Sequence, residues 1–76
     1  MGKPKSESRI ALRRFGSLVR DLRRERGWSQ ERLASEANLD RTYIGGVERG
    51  ERNISFINIS LLAKALEVSV KDFFSD

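Results

Sequence analysis

The sequence predicts an all-α domain of five short helices. Three observations predict it. Apolar residues recur at helical spacing, and no segment alternates as a half-buried strand does. Small polar residues that cap helices, Ser8, Ser29, Asp40, Ser55 and Ser69, stand just ahead of these runs. Residues tolerant of left-handed backbone angles, Gly27, Asn38 and Gly50, stand at their ends.

Each element follows in order. Residues 1–8 read as a flexible basic leader, and residues 9–76 as one domain. From Ile10 onward, Ala11, Phe15, Leu18, Val19 and Leu22 form one apolar stripe, with Ser8 as the cap and Gly27 as the stop. Ser29 caps a second helix, Gln30 to Ala37, with Leu33, Ala34 and Ala37 inward. Asn38 supplies a left-handed bend and Leu39 plugs the turn. Asp40 caps a third helix reaching about Arg49, with Ile44 and Val47 inward, and Gly50 ends it. After a polar loop, Ser55 caps a fourth helix, Phe56 to Leu66, whose apolar residues exceed one stripe. Ser69 and Asp72 then form a capping box opening a fifth helix with Val70, Phe73 and Phe74 apolar.

Composition excludes several functions. The chain has 76 residues, no Cys and no His. Disulfides, thiolate or imidazole metal sites and His-based acid–base chemistry are therefore out. No paired carboxylates stand beside an apolar pocket motif, so no enzyme, cofactor, metal or small-molecule site is expected. No stretch approaches the roughly 20 apolar residues of a membrane span, and the N-terminus lacks a signal peptide's apolar core. The expected compartment is the cytoplasm. A domain this small buries only about 60% of its unfolded surface, which leaves self-association as one means of support.

The net charge of +4 is unevenly spread. Residues 1–26 carry nine basic and three acidic side chains, while the rest of the chain is slightly acidic. A polyanion is a plausible partner for that first segment, with nucleic acid ahead of an acidic membrane surface; a merely solvated face explains the charge equally well.

The segment Gln30 to Val47 discriminates. Two short helices that cross steeply need a thin contact, supplied by Ala34, and a positive-φ turn, supplied by Asn38. Leu33, Ala37, Leu39, Ile44 and Val47 provide apolar pegs on both sides. Together these make a helix-turn-helix pattern. With Ile44 and Val47 inward, Thr42, Gly46 and Arg49 turn outward, flanked by Tyr43 and Gly45, and Arg41 projects from the first turn. Two adjacent helical glycines cost roughly 2 kcal/mol relative to alanine. A helix that presses its backbone toward a groove has a reason to bear that cost.

The motifs Ser29-Gln30-Glu31-x-Leu33-Ala34, Leu39-x-x-x-Tyr43-Ile44, Val47-Glu48-Arg49-Gly50-x-Arg52-Asn53 and Leu61-Leu62-Ala63-Lys64-Ala65-Leu66 resemble the lambda-repressor-like (XRE) helix-turn-helix family. The resemblance spans about residues 10–75. The run Asn38 to Ile44 looks especially like the controller proteins of restriction–modification systems, which are small dimers regulating their own operon. The resemblance implies that Gln30 touches a phosphate, that Arg41, Thr42 and Tyr43 face the major groove, and that Arg52 and Asn53 approach the DNA. It also implies that Arg23 pairs with Glu48. The chain departs from controller proteins at Gly45, where Ser is frequent, and at Ile54, where many members have Pro.

The candidate DNA-contacting set is therefore Ser29, Gln30, Arg41, Thr42, Tyr43, Gly45, Gly46, Arg49, Arg52 and Asn53. Arg49 and Arg52, at or past the helix end, suit backbone phosphates better than bases. Tyr43 is divided between packing and phosphate contact. Arg13, Arg14, Arg20 and Arg24 read as a solvated face, with some members reaching flanking phosphates, and Trp28 as core or boundary. The apolar surplus of the fourth and fifth helices, at Phe56, Ile57, Leu61 and Phe74, is assigned to a homodimer interface. The expected function is a homodimeric transcription regulator on a pseudo-palindromic duplex operator. The alternative is an antitoxin-like protein-interaction module, which the same surplus could serve.

Overall fold

The computed structural model describes residues 6–74. Four α-helices run in order: α1 Ser6–Glu25, α2 Gln30–Ala37, α3 Arg41–Glu48 and α4 Phe56–Leu66. A single 3-10 turn, Val70–Phe73, stands where a fifth helix was expected. The bonds at its two ends, from Asp72 N–H to Ser69 C=O (2.9 Å) and from Phe74 N–H to Lys71 C=O (3.0 Å), each span three residues. So short a segment closes 3-10 rings without starting an α-ladder. The Asp72 carboxylate accepts from Ser69 N–H at 2.9 Å, as a capping box requires.

Residues 6–8, read from the sequence as part of the leader, are helical. Ser8 therefore lies inside α1 and does not cap it; residues 1–5 lie outside those described. Nothing in Ser6–Arg9 breaks a helix, and Glu7 in the first turn suits the positive end of the helix dipole.

The remaining caps form as expected. Ser29 Oγ accepts from Arg32 N–H (3.0 Å), Asp40 Oδ2 from Thr42 and Tyr43 N–H (2.9 and 3.3 Å), and Ser55 Oγ from Asn58 N–H (3.1 Å). Ser29 and Ser55 each satisfy one orphan donor of a helix start and Asp40 two, a cap being typically worth about 1 kcal/mol. Asn38 takes φ 59°, and Leu39 N–H returns to Ala34 C=O at 2.9 Å, which closes the turn between α2 and α3. Glu67 also takes φ 59° at the end of α4, a left-handed cap on a residue that does not advertise it.

One core joins all the elements. It contains Phe15 and Val19 of α1, Leu33, Ala34 and Ala37 of α2, Ile44 and Val47 of α3, Leu62, Ala63 and Leu66 of α4, and Phe73. Each large member contributes roughly 1.5–3 kcal/mol by leaving water. Phe73 packs on Phe15 with ring centroids 5.0 Å apart, which pins the 3-10 turn to α1. Leu18 and Leu22 pack at the core's edge, whereas Ala11, expected in the stripe, is exposed. The stripe runs on from Phe15 and Val19 to position 23, where a buried arginine takes the next site.

α4 does not bury two faces within the chain. Its first turn leaves Phe56 72% and Ile57 71% exposed. Leu61 is half-buried. Trp28 is half-buried at the α1–α2 junction, with the guanidinium groups of Arg26 and Arg32 lying 4.7 and 4.8 Å from its ring centroid. It is thus the boundary residue expected.

Candidate nucleic-acid interface

The third helix is held from behind by a buried polar hub. Glu48, 2% exposed, accepts two bonds from Arg23: Nε to Oε2 at 2.7 Å and NH2 to Oε1 at 2.9 Å. Gln30 Nε2 donates to the same carboxylate at 3.0 Å, and Arg20 Nε approaches it at 3.6 Å. Arg23 also donates to the Trp28 carbonyl at 2.8 Å. Burial by itself would raise the Glu48 pKa; hydrogen bonds from Arg23 and Gln30, with the charges of Arg23 and Arg20, outweigh it and hold the carboxyl below its ordinary range. The same hydrogen bond raises the Arg23 pKa against the opposing effect of burial. Among the described residues no buried side-chain nitrogen or oxygen lacks a partner. The hub ties α1, the start of α2 and the end of α3 into one rigid unit.

This fixes Gln30. One of its amide hydrogens is committed to Glu48, and the second stays free to meet a phosphate. Ser29 spends an oxygen lone pair on its cap, which leaves the hydroxyl hydrogen as a donor. Both stand at the N-terminus of α2.

The outer face of α3 divides in two. Arg41 and Thr42 are exposed on the first turn. Tyr43 is half-buried, and its hydroxyl accepts from Asn58 Nδ2 at 3.1 Å, which links α3 to α4. Tyr43 thus packs, while its own hydroxyl hydrogen remains available outward. Asn58 was not singled out in the sequence, because a polar residue on a helix carries no periodic signal of its partner.

Gly45 and Gly46 are buried, which corrects the outward placement of Gly46. The helical wheel turns Gly46 away from the core but takes no account of the Arg52 side chain, which folds back over it from the following loop. A Cβ on Gly45 would stand 3.1 Å from Arg49 NH1 and 3.6 Å from Gln30 Oε1. A Cβ on Gly46 would stand 2.8 Å from Arg52 Cγ and 3.1 Å from Arg52 Nε. The Arg52 guanidinium also lies 5.8 Å from the Tyr43 ring centroid. The bare helix surface thus seats two arginines alongside the exposed Arg41 and Thr42. Arg49, exposed at the helix end, pairs with Glu51 at 3.0 Å, and Asn53 is exposed beyond it.

The basic face of α1 separates into distinct roles. Arg20 leans on the hub. Arg13 packs against Gly50 (φ 75°), where a Cβ would stand 2.8 Å from Arg13 Cγ. Arg14 lines a groove with Phe74 on another side. Arg13, Arg14 and Arg24 are all exposed, as expected of a solvated face, and Arg20 is half-buried. Phe74, assigned with Phe56, Ile57 and Leu61 to a homodimer interface, stacks on Phe15 of α1 at 6.4 Å and remains 64% exposed.

Gly16 is a further residue the sequence reading missed. A Cβ there would collide with the backbone of α3, 2.6 Å from the Glu48 carbonyl oxygen. A glycine inside a strongly periodic helix costs about 1 kcal/mol relative to alanine, and that cost was the available signal.

Comparisons with known proteins agree with this geometry. A family model described as Helix-turn-helix matches residues 19–73. The control protein C.BamHI of Bacillus amyloliquefaciens is 51% identical over 59 residues, covering 76% of this chain and 73% of that protein. The crystal structure of the restriction–modification controller protein C.AhdI from Aeromonas hydrophila is similar with a TM-score of 0.84 at 49% identity, covering 86% of this chain and 98% of that one. The controller protein C.Esp1396I, crystallised as a tetramer in complex with its natural 35-base-pair operator, aligns with a TM-score of 0.79 at 43% identity, covering 86% of each chain.

Proposed function

Since the chain belongs to the helix-turn-helix family and stands among its restriction–modification controller proteins, we propose that it regulates transcription by binding a pseudo-palindromic operator as a homodimer. The observation that carries the reading is the exposed first turn of α3, braced from behind by the Glu48 hub and flanked by Arg49 and Arg52.

The mechanism is docking without chemistry, in the cytoplasm. Ser29 and Gln30 at the start of α2, with Arg49 past the end of α3, hold phosphates and set register. Arg41 and Thr42 reach base edges, with guanine acceptors and the thymine methyl as the fitting targets. Arg52, lying on Gly46 and Tyr43, and Asn53 extend the contact beyond the helix. Gly45 and Gly46 contribute as seats for the two arginines. The exposed Phe56 and Ile57, with Leu61, pair with a second copy and set two recognition helices about 34 Å apart, one turn of DNA. The regulated genes are those of a restriction endonuclease and its methyltransferase, in keeping with the named relatives.

The test is a titration against duplex DNA at several salt concentrations, with sites selected from random sequence. Selected sites should be two-fold symmetric. If the dimer neutralises about six to ten phosphates, log affinity should fall against log salt with a slope near −0.9 per phosphate. A flat response, or no enriched site, would sink the reading.

A further inference from the structure

The hydroxyl of Tyr43, the only tyrosine of the chain, is held from outside the two helices of the helix-turn-helix. Asn58 Nδ2, on α4, donates to it at 3.1 Å. Both ends of this bond are fixed. The Tyr43 backbone N–H is tied to the Asp40 carboxylate at 3.3 Å, and the Arg52 guanidinium lies 5.8 Å from the ring centroid. The Asn58 backbone N–H is tied to the Ser55 cap at 3.1 Å. Both residues are half-buried.

The direction of the bond has a chemical consequence. A phenol has one hydrogen to give and lone pairs with which to accept. The amide N–H occupies the side of the oxygen that faces α4, so the phenol hydrogen turns away from α4. Among the described residues no hydrogen bond takes it up. Tyr43 shares the outer side of α3 with Gly46, three residues on, over which Arg52 folds. The hydrogen is thus presented beside side chains assigned to DNA.

We propose that Asn58 is a positioning residue for DNA reading. It fixes the Tyr43 hydroxyl as a donor, so that Tyr43 engages acceptor atoms of the duplex and rejects donors. The matching acceptors are guanine O6 and N7, adenine N7, thymine O4 and phosphate oxygens; the rejected groups are the amino groups of cytosine and adenine. A hydroxyl held by nothing would rotate to suit either kind of atom. Held as a donor against an amino group, it leaves both groups without a partner where water has been expelled. The inference rests on the operator-binding reading and adds to it a residue outside the helix-turn-helix that need touch no DNA.

The experiment uses the full chain with Asn58→Asp, Tyr43→Phe and the two combined. Aspartate has nearly the shape of asparagine, but its ionised carboxylate only accepts. It draws the Tyr43 hydrogen inward and leaves the phenol oxygen outward. Raman spectra of the free protein read this directly, because the intensity ratio of the tyrosine doublet separates donating from accepting phenols and the chain has a single tyrosine. Asn58→Asp should shift the ratio towards that of a donor-only phenol. Asn58→Ala, which removes the bond without adding charge, should shift it the same way by less and serves if the aspartate variant does not fold. An unchanged ratio in a folded variant overturns the proposal.

Affinity is then measured on the selected operator and on each of its single-base variants. Tyr43→Phe should weaken binding to the selected operator about tenfold. The added charge of Asn58→Asp repels DNA by itself, and its effect combined with Tyr43→Phe measures that repulsion. With Tyr43 intact, Asn58→Asp should cost about tenfold more than the repulsion. An equal cost in both backgrounds means that Asn58 acts on its own, and overturns the proposal. A discrimination lost at one base position identifies a base edge as the acceptor, and an equal loss on every duplex identifies a phosphate; either supports the donor role. If the wild type selects no site, the operator reading falls and this inference with it, whereas a selected site with equal costs removes Asn58 alone.

Discussion

Gly16 of α1 lies against the backbone of Glu48 at the end of α3, so close that any side chain at position 16 would strike the Glu48 carbonyl. The same Glu48 sends its carboxylate to Arg23 two turns further along α1. The recognition helix is thus fixed to α1 by a close backbone approach and a buried ion pair within one residue of each other.

Replacing Gly16 by alanine should therefore harm the protein although alanine favours helices. Helix propensity gains about 1 kcal/mol, while overpacking against backbone that cannot move aside costs typically 1–3 kcal/mol. Thermal unfolding should show a net loss of stability. Binding to a selected operator should fall further than the stability loss explains, because α3 must shift.

The same substitution at Gly45 should have the opposite sign. Its nearest obstacle is the flexible end of Arg49, which can swing away, while Gln30 Oε1 stands at ordinary contact distance. Gly45→Ala should gain up to about 1 kcal/mol in urea denaturation. Operator affinity should drop, since the Arg49 guanidinium loses its seat.

Removing one partner of the buried pair, with Arg23→Ala, should cost roughly 3–5 kcal/mol by stranding the Glu48 carboxylate. The pair also sets a pH dependence. The Glu48 carboxyl is held below its ordinary value of 4.5, so it favours folding fully above that pH. That contribution is lost as pH falls from 4.5 through the folded-state value. Urea midpoints measured from pH 7 to pH 3 should decline in this window. Glu48→Gln, less stable at neutral pH, should show a shallower decline.

Arg41→Ala should leave the unfolding midpoint almost unchanged, because the side chain is exposed and serves no cap. It should cost about 1–3 kcal/mol on the selected operator and less on random duplex. An equal loss on both would assign Arg41 to phosphate contact instead of base reading.

Local features of the fold were the legible ones. The caps at Ser29, Asp40 and Ser55 and the bend at Asn38 depend on residues within a few positions of one another, and α2 began and ended, and α4 began, where those signals lay. Ser8 misled because a capping residue also tolerates a helical interior when no breaker precedes it. Glu67 gave no signal, since its left-handed angle is imposed by the end of α4 and met by its bond to Arg26 at 3.2 Å. Arg41 and Thr42 were legible as outward residues, because the wheel alone decides them. Gly46 was not, because its cover comes from Arg52 in the next loop, and Tyr43 could not be assigned without Asn58 fifteen residues away. Long-range partners leave no period in a sequence.

The division between a braced rear and an open front has a consequence for descent. Arg23, Gln30 and Glu48 depend on one another, so a change at any of them must be answered at the others before the protein folds well again. Arg41 and Thr42 answer to nothing inside the molecule. A lineage can exchange them freely and acquire a new target in one generation, with the frame that carries them inherited intact.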